Sequence, residues 1–220
     1  MNFAKTETET EPLEFPIAEA EADLSFPDLA EGLHALAQPL SGLRSAVELM
    51  NLFPGGDGER YRQMCATEID RACEMFSCLQ GLVSVKTAET KMRTFDCRKL
   101  VESLVVEHGL NDRLPSVSPG AKGLEPGMVK GDLERARQAF ASLLTVLARV
   151  CGTAGMMEAS CRQTDQSLVF SFKAEDVSRQ RLNSGNRLHL SLARANIVSQ
   201  GGRFRWQPDP LEIRVALPLA

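Results

Sequence analysis

Two apolar seams separated by a short breaker constrain this chain more than anything else in it. Leu29, Leu33, Leu36, Leu40, Leu43, Val47 and Met50 step by alternating fours and threes. That spacing keeps side chains on one stripe of a helix packed against other helices. Cys65, Ile69, Ala72, Phe76, Leu79 and Val83 repeat the pattern, and Phe53-Pro54-Gly55-Gly56-Asp57-Gly58 between them breaks the helix. Pro27 and Asp28 suit a helix start and its positive end, which predicts a first helix running to about Leu52. The second is predicted from about Glu59 to Lys86. Two long helices with a short connection form an antiparallel hairpin, here over residues 25–88. A lone hairpin cannot bury both sides of its seams. Pairing of two copies into a four-helix bundle, a homodimer, is therefore expected; a second half folded over the hairpin would instead leave a monomer.

His34 lies one residue past a seam position, which places it on the flank of the first helix. Pro39, five residues on, removes a backbone donor and bends the axis there. The other two histidines carry less: His108 is predicted to end a helix, and His189 to act as a filler.

Composition narrows the function classes. A formal net charge of -4 over 220 residues lacks the basic face of a nucleic-acid binder. No apolar run approaches the roughly 20 residues that cross a bilayer, and the N-terminus has no basic-then-apolar signal pattern, so a cytoplasmic protein is expected. Cys65, Cys73, Cys78, Cys97, Cys151 and Cys161 form no Cys-x-x-Cys pair and meet no histidine at ligand spacing. Reduced thiols and no metal site are expected. Residues 1–24 crowd Glu7, Glu9, Glu11, Glu14, Glu19, Glu21 and Asp23 among Thr, Ala and Pro, and are expected to form a disordered acidic tail.

Past Thr90 the periodicity changes. Lys91 to Phe95 reads as a strand, and Asp96 caps a helix to about His108. A Pro- and Gly-rich loop follows from Asn111 to Gly127, then a short strand over 128–130 and a helix from Leu133 to about Val150. Strands at 156–162 and 168–173, a helix from about Leu188 to Ser199 closed by Gly201-Gly202, and a hairpin of 204–207 with 211–217 complete the order. Residues 89–220 should thus form an α/β sandwich with helices on one face of a mixed sheet, making the whole chain an α+β fold.

His34-Ala35-Leu36-Ala37-Gln38-Pro39-Leu40 resembles the phosphoacceptor box of two-component sensor histidine kinases, roughly His-Glu-Leu-Arg-Gln/Thr-Pro-Leu. It departs at Ala35, where that family carries an acid that assists proton removal, and at Ala37, where Arg is common. A second stretch agrees in order. Asp132-Leu133-Glu134-Arg135-Ala136-Arg137-Gln138-Ala139-Phe140-Ala141-Ser142-Leu143-Leu144 resembles the Asp-x-x-Arg-Leu-x-Gln-Val-Leu-x-Asn-Leu-Leu helix of the kinases' ATP-binding domain. Leu188 to Arg194, with Ile197-Val198 and Gly201-Gly202, resembles its Gly-Leu-Gly-Leu-Ser-Ile-Ala-Arg segment. The resemblance covers about residues 26–220.

The nucleotide ligands of that family are missing. Its magnesium- and phosphate-holding asparagines are matched by Ser142 and Val146, and valine offers no oxygen to a hard cation. Ala174-Glu175-Asp176-Val177-Ser178-Arg179 stands where an Asp-x-Gly-x-Gly adenine box belongs. Arg187, Leu188 and His189 replace glycines that let backbone approach phosphates, and Gly185 alone remains nearby. The resemblance therefore implies a dimeric histidine phosphotransferase: His34 accepts and passes a phosphoryl group, with Gln38, Pro39 and Arg44 shaping the partner surface. It implies response regulator receiver domains as partners, and a hybrid histidine kinase upstream. No cofactor is expected on this chain, magnesium belonging to the receiver. A divergent active kinase and a non-catalytic pseudokinase regulator are the alternatives. Arg179, Arg181, Arg187 and Arg194 are read as scattered solvated charges, and Trp206 as packing on the last hairpin.

Overall fold

In the computed structural model, residues 26–53, 58–114, 117, 127–151, 157–174 and 182–220 are described, the side chains of 26–29 and 31 excepted. The acidic leader and the sought adenine box at 175–179 lie outside them, as do Arg179 and Arg181 of the basic group. The chain begins with α1 (Phe26–Leu52) and α2 (Gly58–Thr87), which pack along each other as the predicted hairpin. Then come β1 (Arg93–Asp96), α3 (Cys97–Glu107), β2 (Met128–Gly131), α4 (Leu133–Cys151), β3 (Met157–Gln163) and β4 (Ser167–Ala174). The chain closes with α5 (Ser184–Val198), β5 (Arg203–Pro208) and β6 (Leu211–Pro218). No helix among the described residues is long and apolar enough to cross a membrane.

Local chemistry explains most of the boundaries. Asp96 ends β1 and caps α3, its Oδ1 accepting from the backbone N–H of Arg98 and Lys99 and also from Gly127 in the strand-bearing segment opposite. Asp132 does the same for α4, accepting from Glu134 and Arg135, while its other oxygen accepts from Lys91 N at 2.7 Å. Burial pushes the Asp132 carboxyl up, but these backbone donors and the Arg135 charge outweigh it and hold the group below its ordinary range. Gly201 takes φ +81°, the left-handed terminus expected after α5. That helix begins four residues before Leu188, because Asn183 caps it through a 2.9 Å bond from Asn186 N, and polar Ser184–Arg187 offer no apolar period to read.

The sheet is antiparallel throughout, not mixed, with order β3-β4-β6-β5. Helix α5 reverses the chain, so β5 does run parallel to β4. Strand β6 inserts between them, and every hydrogen-bonded neighbour becomes antiparallel. β1 and β2 form a separate two-stranded ribbon. Alternate residues Leu168, Phe170 and Phe172 of β4 pair with Leu217, Val215 and Ile213 of β6, and all are buried on the face that α3, α4 and α5 cover. Phe140 of α4 meets Phe170 edge-on at 5.2 Å. His108 caps α3 as expected, yet burial lowers its pKa against the Glu107 charge, so the imidazole is held more neutral than a dipole-complementing cation would be.

A second apolar cluster joins the hairpin to this domain: Ala35, Met75, Cys78 and Leu82 of the hairpin enclose Leu188 and Leu192 of α5. Gly81 makes the approach possible, since a Cβ there would lie 2.7 Å from Gln138 Nε2 and 2.9 Å from a Leu192 methyl. The domain covers one side of the hairpin only. Leu33, Leu40 and Val47 of α1 and Ile69, Phe76 and Val83 of α2, each set spaced by seven, remain 45–62% exposed.

Candidate functional site

His34 sits on α1 with its side chain exposed, and the next residue turns inward. Ala35 is 3% exposed, pressed among Met75, Cys78 and Leu188. Its carbonyl, four residues before Pro39, has no proline N–H to accept from. The acid expected from the resembled motif would point into this apolar contact, which supplies a physical reason for alanine there.

Gln38 is exposed and Pro39 is buried. Both line a cleft of about 540 Å³ between the hairpin and the domain, with Glu74 of α2, Arg149 of α4, and Asn183 and Asn186 opening α5. Arg44 stands apart. Its Nε donates to Glu48 Oε1 at 2.9 Å, one helical turn on and in full solvent, where such a pair contributes a few tenths of a kcal/mol.

Beside the cleft runs a polar relay absent from the sequence reading. The Arg149 guanidinium donates to Glu74 Oε1 and Oε2 at 2.6 and 2.7 Å. Nε2 of His189 lies 2.9 Å from Glu74 Oε1, and Nδ1 of the same ring lies 3.4 Å from Cys78 Sγ. Burial, the largest influence, pushes the Cys78 thiol up to about 12, so it stays protonated beside Nδ1. Nε2 shares the next hydrogen bond with Glu74. That bond to His189, with the Arg149 bond and charge, overcomes burial and holds the Glu74 carboxyl down at about 2. His189 is thus no filler; at 5% exposure it is the buried middle of a connection among α2, α4 and α5.

Two of the matched nucleotide positions are buried. Ser142 and Val146 are 6% and 0% exposed, inside the packing of α4. Among the described residues, no group of three or more His, Cys, Asp or Glu side chains is arranged to hold a metal ion.

No protein-family model and no curated protein matches the sequence. Solved structures do. Acinetobacter baumannii histidine kinase AdeS superposes with a TM-score of 0.65 at 16% identity, over 84% of this chain and 98% of that one. Histidine kinase ThkA, in a crystal structure of its complex with the response regulator protein TrrA, gives 0.65 at 13% identity over 89% of this chain, which spans 62% of that one.

The chain has the histidine kinase fold.

Within this histidine kinase fold, His34 and Gln38 lie where their motif led, at the surface of the first hairpin helix. Glu74, Arg149 and Cys78 carried no sequence signal. Their contacts join residues 75 to 115 positions apart, and no local spacing encodes such a pair. Trp206 packs against the core from β5, as expected.

Proposed function

We propose that this chain is a histidine phosphotransferase of two-component signalling, relaying a phosphoryl group between receiver domains through His34. One observation carries the reading: within a histidine kinase fold, the histidine of the phosphoacceptor-like box is exposed on the hairpin, while Ser142 and Val146 of the nucleotide helix are buried. An imidazole nitrogen is a competent nucleophile near neutral pH. It attacks the phosphorus of a receiver's acyl phosphate; the N–P bond forms as the P–O bond breaks, and the aspartate carboxylate leaves. Transfer to a second receiver runs the same exchange in reverse. The receiver supplies the aspartate and the magnesium, so this chain needs only to present the ring. Gln38 and Arg44, both exposed, belong to the proposed docking face. The ThkA structure, a kinase held with a response regulator protein, supports a receiver as partner, and a hybrid kinase would stand upstream. The reading includes a cytoplasmic location and a homodimer. The outward stripe of Leu33, Leu40, Val47, Ile69, Phe76 and Val83 supports the dimer, because a second hairpin buries it.

Incubation with a phosphorylated receiver tests the relay. An acid-labile phosphoryl group on the protein, absent from His34→Ala, is the expected result; transfer that survives in His34→Ala overturns it. Similarity to AdeS over 98% of that kinase's chain favours a second reading, a divergent active kinase. Intact mass after incubation with ATP and magnesium separates the two. A gain of one phosphoryl group dependent on His34 would establish the kinase.

A further inference from the structure

Three of the positions where the chain departs from the resembled motifs fall together. Ala35 replaces an acid, and Leu188 and His189 replace glycines; all three lie in the contact between hairpin and domain. Leu188 packs with Ala35 in the apolar cluster, and His189 reaches Glu74 of α2. Arg149, in the last turn of the helix that would have held nucleotide, grips the same carboxylate from the other side.

We infer that Glu74, Arg149 and His189 form a lock that keeps the second domain docked on the hairpin, so that the two move as one body. The inference does not depend on phosphoryl relay. Three helices meet at one carboxylate: Glu74 from α2, Arg149 from α4, His189 from α5, with the Cys78 thiol fixing the ring from behind. The apolar cluster beneath gives the docking its area, and the carboxylate gives it one register. A hinged domain carrying a phosphate donor to His34 would need this contact to open. The lock also decides access. The flank of α1 bearing Ala35 and Pro39 faces the docked domain, so a partner reading His34 must arrive over the exposed side of the hairpin.

Hydrogen exchange read by mass spectrometry on the full chain tests this, with Glu74→Ala, Arg149→Ala and the double variant beside the wild type. Peptides covering α5 and residues 71–82 of α2 are expected to exchange at least ten times faster in either single variant, while β4 and β6 keep their protection. The double variant is expected to match the singles, because removing either partner already opens the lock. Glu74→Gln, which keeps an acceptor for His189 and loses the charge that holds Arg149, should match Arg149→Ala. Unchanged exchange in the singles overturns the lock. So does strict additivity in the double variant, or loss of protection that spreads equally through β4 and β6, which would mark Glu74 as a general stability residue.

Discussion

Ala35 shows how one side chain records a choice of partner. A carboxylate there would leave water for a cluster built from Met75, Cys78, Leu82, Leu188 and Leu192, with no cation in that cluster to receive it. Ala35→Glu is therefore expected to destabilise the protein by about 3 kcal/mol. Urea unfolding should show it, and the loss should shrink in acid as the introduced group is protonated. His34 is the opposite case. Its side chain is exposed, so His34→Ala should shift the unfolding free energy by no more than about 0.5 kcal/mol, and any loss of phosphotransfer in that variant is then chemical and not structural. Asp132 lies between the two. It caps α4 and also holds Lys91 of the segment after the hairpin, so Asp132→Ala should cost at least the roughly 1 kcal/mol of an ordinary cap. Because its folded-state pKa is depressed, its contribution is complete above its ordinary 3.8 and fades as the pH falls below that value.

At the scale of elements, α5 is the informative one. Leu190, Ala193 and Ile197 enter the domain core, while Leu188 and Leu192 enter the hairpin cluster. A helix apolar on two sides has no single stripe, and this one is apolar on two sides because it is held between two bodies. Leu192→Ala should therefore cost about 3 kcal/mol, in the range of buried leucine truncations, and should raise exchange on the α2 side without loosening the sheet. The hairpin seams divide in a similar way. Leu36, Leu43 and Met50, with Cys65, Ala72 and Leu79, are half-buried, while the residues alternating with them face out. If a second hairpin covers the outward stripe, Phe76→Asp and Leu40→Asp should yield monomers by light scattering while keeping their helix content.

For the whole molecule, the docking of the two parts rests on a carboxylate whose pKa is far below its ordinary 4.5, at about 2, chiefly through His189 and then Arg149. A depressed carboxyl stabilises the docked form above its unfolded value, and that contribution disappears as the pH falls from 4.5 toward 2. The groups facing Glu74 are Arg149, His189 and Cys78, with Arg71 lining the same cleft. The docked form should accordingly hold its radius in solution scattering from neutral pH down to about 4.5, and expand below it. Much of this architecture was legible in advance. The hairpin, the capped α3 and α4, and the strand pairs of β3–β4 and β5–β6 follow from periodicity, caps and breakers, which are properties of neighbouring residues. His34 was legible for the same reason, its box being a run of seven residues. The mixed sheet was misread because the insertion of β6 between β4 and β5 is a matter of which strand meets which edge, and no local pattern states it. His189 was misread because its partners lie on other helices. The sequence by itself determined the elements and the exposed histidine, since these depend on residues within a turn or two of one another. Only the tertiary structure decided the antiparallel order, the burial of Ser142 and Val146 and the Glu74 lock, since each depends on contacts between segments that meet only once the chain has folded.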